Sequence, residues 1–228
     1  QICQNGMFFR DFSAFVMTLD PSGNTWSLGT CTTPTLTNSS GDFTLKFTPG
    51  KVATEADGSA DNWQLAATAT SSYGTGFGYD TTPGAAMNWY GSIALDATVN
   101  VDWGPVPAGL GFTDTLAKQE LGAIITYICN GDFSKKGKSS ATWEGASNTA
   151  TLDSTGACTG AQQFALKAWT SDVVGSAVLL NSTEVEITTG SQTDEAGQED
   201  STNYLYLMLA GTFNSDTYSG TLTYAIRN

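Results

Sequence analysis

Apolar and polar residues alternate with a period of two along much of this chain. Ile93, Leu95, Ala97, Val99, Val101 and Trp103 fall on one face of an extended segment, with Ala94, Asp96, Thr98, Asn100 and Asp102 on the other. Successive side chains of a strand point to opposite sides, so this pattern predicts one long strand with a wet face and a buried face. Shorter copies recur. Phe43, Leu45 and Phe47 alternate with Thr44 and Lys46; Leu205, Leu207 and Leu209 alternate with Tyr204, Tyr206 and Met208; Leu222, Tyr224 and Ile226 alternate with Thr221, Thr223 and Ala225. Thr, Val and aromatic side chains suit a pleated surface. Turn-forming clusters separate the runs, among them Asp20-Pro21-Ser22-Gly23-Asn24, Asn38-Ser39-Ser40-Gly41, Asp57-Gly58, Thr82-Pro83-Gly84, Asn130-Gly131 and Ser219-Gly220. Many short strands broken in this way predict an all-β sandwich or barrel. One segment reads as helix: Asp114 as cap, Thr115 to Leu121 as body and Gly122 as stop.

The most apolar run, Met7 to Leu19, is hydrophobic on both faces except at Arg10, Asp11 and Ser13. It reads as a core strand buried on both sides. Its alternative use is as a strand donated to the open sheet edge of a neighbouring subunit. The C-terminal strand, Tyr218 to Ile226, is the other candidate edge.

Composition narrows the chemistry. The 228 residues include no His, so no mechanism uses imidazole as base, shuttle or metal ligand. A net charge of −13 argues against binding a phosphate backbone, so nucleic acid is not an expected partner. No run of about 18 apolar residues is present to span a membrane as a helix. Gln1 at the start fits a mature chain left by signal-peptide removal. The four cysteines, Cys3, Cys31, Cys129 and Cys158, lack the close C-x2-C pairs of a zinc site and read as two disulfides. Four cysteines allow three pairings. The nearly equal local intervals favour Cys3–Cys31 and Cys129–Cys158, each loop closure contributing roughly 3 kcal/mol in a chain-entropy description. Disulfides persist outside the reducing cytosol, so the expected location is secreted, at the cell surface. Asn38-Ser39-Ser40 and Asn181-Ser182-Thr183 are candidate N-glycosylation sites at Asn38 and Asn181.

The halves echo one another in order. Ile2-Cys3-Gln4-Asn5-Gly6 resembles Ile128-Cys129-Asn130-Gly131, Phe43-Thr44-Leu45-Lys46 resembles Phe164-Ala165-Leu166-Lys167, and Asn62-Trp63-Gln64-Leu65 resembles Asn203-Tyr204-Leu205-Tyr206. Tyr90 to Leu95 lies beside Tyr218 to Thr223 in the same way. The expected organisation is two tandem β-sandwich modules, Ig-like or pilin-like, over residues 1–110 and 111–228, with one large jelly roll as the alternative. Residues 190–203 form an insertion relative to the first half and are expected at an exposed tip.

Candidate chemistry is sparse. Asp57 with Asp61, and Asp194, Glu195, Glu199 and Asp200, cluster in turns but lack the D-x-D-x-D-G spacing of a calcium loop, so a solvated acidic loop is the expectation and no metal or cofactor is assigned. Trp26, Trp63, Trp89, Trp103, Trp143 and Trp169 offer a sugar platform, but core filling is the default on alternating strands. Glu144, Glu184 and Glu186 are the acids from which a glycosidase pair would be drawn. Lys135, Lys136 and Lys138 are expected on a solubilising, glycine-containing turn. No catalytic residue is assigned.

The ending Tyr218-Ser219-Gly220-Thr221-Leu222-Thr223-Tyr224-Ala225-Ile226 resembles the last strand of pilin-like and WxL-type cell-surface β proteins. Trp26-Ser27-Leu28 and Trp63-Gln64-Leu65 look like the W-x-L element of the latter, and the Cys3 to Cys31 interval looks like the early disulfide of fimbrial sandwich subunits. Tyr224 stands where a WxL protein would tend to have Trp. The resemblance implies a surface or filament role. The expected function is therefore a structural subunit of an extracellular, pilus-like filament or cell-surface layer, not an enzyme, with copies of itself as partners. A carbohydrate-binding adhesin recognising surface glycans is the alternative, and a jelly-roll glycoside hydrolase the third reading.

Overall fold

A computed structural model describes residues 88–96, 100–193 and 198–228 throughout, together with Lys51 and 76–78, and elsewhere only the backbone of the strands named below. The protein is all-β: among the described residues the sole helical element is a single 3-10 turn, Thr115–Ala117. The chain divides into two compact units. One comprises Gln1–Tyr90, Ile128–Gly131 and Gln192–Gln198; the other comprises Gly91–Tyr127, Asp132–Ser191 and Glu199–Asn228.

The first unit contains β1 (Phe8–Arg10), β2 (Phe15–Met17), β3 (Ser27–Thr32), β4 (Thr44–Thr48), β5 (Trp63–Ser71) and β6 (Gly74–Ala85), which pair antiparallel as β1 with β2, β3 with β4 and β5 with β6. The run from Met7 to Leu19 is thus two short strands paired on each other, Phe8 opposite Met17, and not one long strand. Its side chains lie outside the described residues, as do Asp57, Asp61 and Asn38.

The second unit is built from β7 (Gly91–Leu95), β8 (Lys118–Cys129, whose last two residues belong to the first unit), β9 (Phe133–Ser139), β10 (Thr142–Glu144), β11 (Thr149–Leu152), β12 (Gln163–Trp169), β13 (Val178–Leu179), β14 (Val185–Gly190), β15 (Glu199–Leu209) and β16 (Leu222–Arg227). Seven of these form a sheet in the order β10-β11-β12-β15-β8-β7, with β13 on the flank of β12; β14-β9-β16 form a second sheet. Leu205, Leu207 and Leu209 point from β15, and Phe164, Leu166 and Ala168 from β12, into a cluster completed by Ile187 of β14 and by Leu222 and Tyr224 of β16. The apolar faces of two sheets removed from water in this way make a sandwich core. The reverse face of β12 and β15 is covered too, where Ala165 and Ala210 pack with Cys158, Phe112 and Leu179. These central strands are therefore buried on both sides, which explains why Tyr206 is as buried as its leucine neighbours.

Several local expectations are corrected. Of the 93–103 pattern, Ile93 to Leu95 lie in the short strand β7 and residues 97–99 lie outside the described residues; Val101 and Trp103 are half-buried in non-strand backbone, and Leu95 is exposed. The segment after Asp114 is the 3-10 turn followed at once by β8. Asp114 makes no capping bond there; its carboxylate accepts from the Gly111 N–H at 2.6 Å, so tertiary pairing of β8 outweighs a short helix. Within 190–203, residues 199–203 are the first half of the central strand β15, with Asn203 buried, and not part of an exposed tip.

Glycine is required where backbone meets a ring. A β-carbon on Gly220, just before β16, would lie 1.9 Å from Cδ1 of Trp143. That close approach lets Trp143 stack on Phe164, with ring centroids 4.2 Å apart, beneath the Ser219-Gly220 turn.

Candidate functional site

Strand β9 alternates strictly. Phe133, Lys135, Gly137 and Ser139 are buried; Ser134, Lys136 and Lys138 are only partly so. Lys135 therefore enters the sandwich with its neighbours on the inward face and retains 3% of its exposure. The expected solubilising turn is a strand in the middle of the three-stranded sheet, with Lys135 flanked in register by Thr188 of β14 and Ile226 of β16.

The groups that receive the amine come from the opposite sheet. Lys135 Nζ donates to Ser201 Oγ at 2.6 Å and to Asn203 Oδ1. Asn203, 1% exposed, donates through Nδ2 to the Ser201 carbonyl at 2.6 Å. Its position depends on an irregularity: the pairing of β15 with β8 shifts register on both sides of Asn203, which lies opposite Gly122. Gly122 takes a left-handed φ of +59°, which glycine adopts without strain. A register shift of this kind re-aims a side chain without ending the strand.

The surroundings mix aliphatic and aromatic side chains with the hydroxyls of Thr170, Thr188 and Thr189. A cavity of about 150 Å³ adjoins the amine, walled by Ile93, Ile125, Phe133 and Ile226 together with Tyr127. The Tyr127 ring packs on Phe133 with centroids 4.9 Å apart, and its hydroxyl donates to Glu199 at 2.8 Å. The Lys135 ammonium lies 5.4 Å from the centre of the Tyr224 ring. The buried Tyr224 hydroxyl has no hydrogen-bond partner, and burial pushes its ionisation upward. Burial alone pulls the Lys135 amine down to about 8, with no acidic side chain contributing. An ammonium removed from water without a counter-ion is costly, so burial shifts the balance toward the neutral amine relative to a solvated lysine. A neutral lysine amine is a nucleophile and a hydrogen-bond acceptor, two properties absent from a solvated lysine.

The residues singled out from sequence are dispersed. Glu144 accepts from the Thr149 hydroxyl at 2.7 Å, Glu186 from the Ser134 hydroxyl at 2.7 Å, and Glu184 forms a two-point ion pair with Arg227 at 2.7 and 3.2 Å. Glu144 lies in one sheet and Glu186 in the other. Glu199 is on β15, bonded to Tyr127, Asp200 is exposed, and Asp194 and Glu195 lie outside the described residues. Among the described residues no group of three or more His, Cys, Asp or Glu is assembled that would hold a metal ion. The described tryptophans, Trp89, Trp103, Trp143 and Trp169, are all partly buried, and the last three pack against the core. Asn181 sits on the turn between β13 and β14, its Oδ1 accepting from the Ser182 N–H at 2.6 Å.

Cys129 and Cys158 are both buried, and the bond expected between them is not made. Cys158 instead packs against Ala165 and Ala210, and burial beside Asp153 pushes its thiol up to about 11. The side chains of Cys3 and Cys31 lie outside the described residues.

The Lys135 cluster was missed because Ser134-Lys135-Lys136-Gly137-Lys138 reads as solvated on polarity alone. Its one sequence signal is the period-two series Phe133, Lys135, Gly137, Ser139, which starts with an aromatic residue. Comparison of the chain with protein-family models, with curated proteins and with solved structures found no match.

Proposed function

We propose that this protein is a structural subunit of an extracellular filament or cell-surface layer, associating with copies of itself by β-strand pairing. The observation that carries this reading is an unpaired seam in the second unit. Strand β7 ends the seven-stranded sheet and β16 ends the three-stranded sheet. The two approach each other, yet among the described residues no ladder joins them. Ile93 of β7 and Ile226 of β16 both line the apolar cavity beneath. Unpaired edges over an apolar hollow match what an added strand supplies: backbone hydrogen bonds and alternate side chains. The edge strand β10 is, by contrast, closed by reciprocal backbone bonds of 2.9 Å between Glu144 and Ser219.

The occupant is a strand from a second copy of the chain. A net charge of −13 keeps free subunits soluble until pairing outweighs repulsion. Sedimentation and electron microscopy over rising concentration test the reading. Oligomers or filaments are expected, and their loss is expected in Leu95→Lys with Thr223→Lys, which place charge at two exposed positions on the seam strands. A monomer at every concentration, with no filament in native extracts, overturns it.

A further inference from the structure

We infer that the cavity beside Lys135 is a binding site for a small aliphatic carboxylate, its charge held by the lysine ammonium and its hydrocarbon tail seated against isoleucine side chains. Both chemistries are in the lining. Lys135, 3% exposed, and Ser201 of β15 are polar members of it, while Ile93, Ile125 and Ile226 supply apolar surface. A lysine ammonium has three N–H donors. Ser201 Oγ and the Asn203 carboxamide take two of them. Among the described residues no hydrogen-bond acceptor takes the third, and the other close group is the Tyr224 ring, 5.4 Å away. Among those residues no carboxylate pairs with the amine either, and Glu199 of β15 is engaged by the Tyr127 hydroxyl. An anion brought to a charge buried in this way stabilises it.

Size and polarity narrow the ligand. An inorganic anion leaves the isoleucine surface unused, and a neutral hydrocarbon leaves the ammonium unpaired. A cavity of about 150 Å³ is of the size that accommodates benzene, so the ligand has about six non-hydrogen atoms, as butyrate has. Thr189 is exposed and carries the lining to the protein surface. Binding is linked to protonation. Burial lowers the amine to about 8, so a carboxylate that binds the ammonium is released as pH rises through that value, about tenfold in affinity per unit above it. From β8, β15 and β16 the titratable groups on this side are Tyr127, Glu199 and Tyr224. The first two are bonded to each other, and burial pushes Tyr224 upward, out of this window.

Titration of the unaltered chain with sodium butyrate, followed by methyl NMR at constant ionic strength, is the test. One saturable site is expected, with shifts centred on the methyl groups of Ile93, Ile125 and Ile226. Sodium acetate keeps the charge with a shorter tail and 1-butanol keeps the tail without the charge; each is expected to bind about tenfold more weakly. Lys135→Met is expected to abolish butyrate binding. Should that variant not fold, the pH profile of the unaltered chain decides, with affinity expected to fall as pH is raised above about 8. Absence of a saturable site, or an affinity unchanged through that rise in pH, overturns the proposal. An equal response to butyrate, acetate and chloride means an adventitious ion only and overturns it as well.

Discussion

Strand β15 joins two kinds of protein interior. Its second half carries Leu205, Leu207 and Leu209, which meet Phe164, Leu166 and Leu110 in an aliphatic and aromatic core. Its first half carries Ser201 and Asn203, which meet Lys135 beside a cavity. Both halves send residues into the sandwich, Asn203 from the first and the leucines from the second, yet these are held differently. In the apolar half any well-fitting hydrocarbon contributes, because dispersion and burial are non-directional. In the polar half each group needs a partner at a specific angle, and an unmet donor or acceptor costs more than a met one gains.

Removing atoms from the apolar half has the largest expected effect. Phe164→Ala deletes a fully buried ring stacked on Trp143 and is expected to cost about 3–5 kcal/mol, read from the denaturant midpoint. A loss below about 1 kcal/mol would mean that the site collapses around the gap. Adding one atom is the milder insult: Gly220→Ala puts a β-carbon against the Trp143 ring and is expected to cost about 1–3 kcal/mol.

The polar half is broken by Asn203→Ala, which leaves Lys135 buried without its carboxamide partner, at an expected cost of about 1–3 kcal/mol near neutral pH. The Lys135 amine itself sharpens the comparison through pH. An amine whose folded value is lowered to about 8 binds fewer protons when folded than when unfolded between about 8 and the ordinary value of 10.5. Stability then rises with pH across that window and the penalty is full below it. The rise is expected in the parent and is expected to be lost in Lys135→Met, read from the denaturant midpoint across that window. Tyr206, pushed up to about 12, and Tyr224 are common to both chains and cancel in the difference.

Two surface contacts complete the series. Asp216 accepts from the backbone N–H groups of Ala146, Ser147 and Asn148 at 3.1, 2.8 and 3.0 Å, and these bonds, with that of Thr217, hold its carboxyl well below the usual range. A depressed acid contributes its stability in full above the unfolded value and loses it as pH falls below about 4. Acid unfolding monitored by tryptophan fluorescence is therefore expected to flatten in Asp216→Asn. Smallest of all, Lys118→Ala breaks an exposed ion pair with Asp172 at 2.7 Å and is expected to leave the unfolding midpoint unchanged within error.

Local alternation was enough to make the chain all-β and to place Leu205, Leu207 and Leu209 in the core, because a period of two cannot be satisfied by a helix. It did not distinguish a strand interior from its polar surroundings. The Ile93 to Trp103 series keeps the period for eleven positions, yet Val101 and Trp103 at its end are not in a strand, because a strand also needs a neighbour along its whole length. Lys135 shows the converse. Its charge suggests solvent, while its position on β9 sends it inward. Burial of a lysine depends on what stands across the sandwich, here Ser201 and Asn203, which β15 supplies from far along the chain. Chemical identity and spacing are properties of the chain and fold it into sheets. Which amine meets which amide is a property of two sheets packed face to face, and only the packed state brings those atoms within reach.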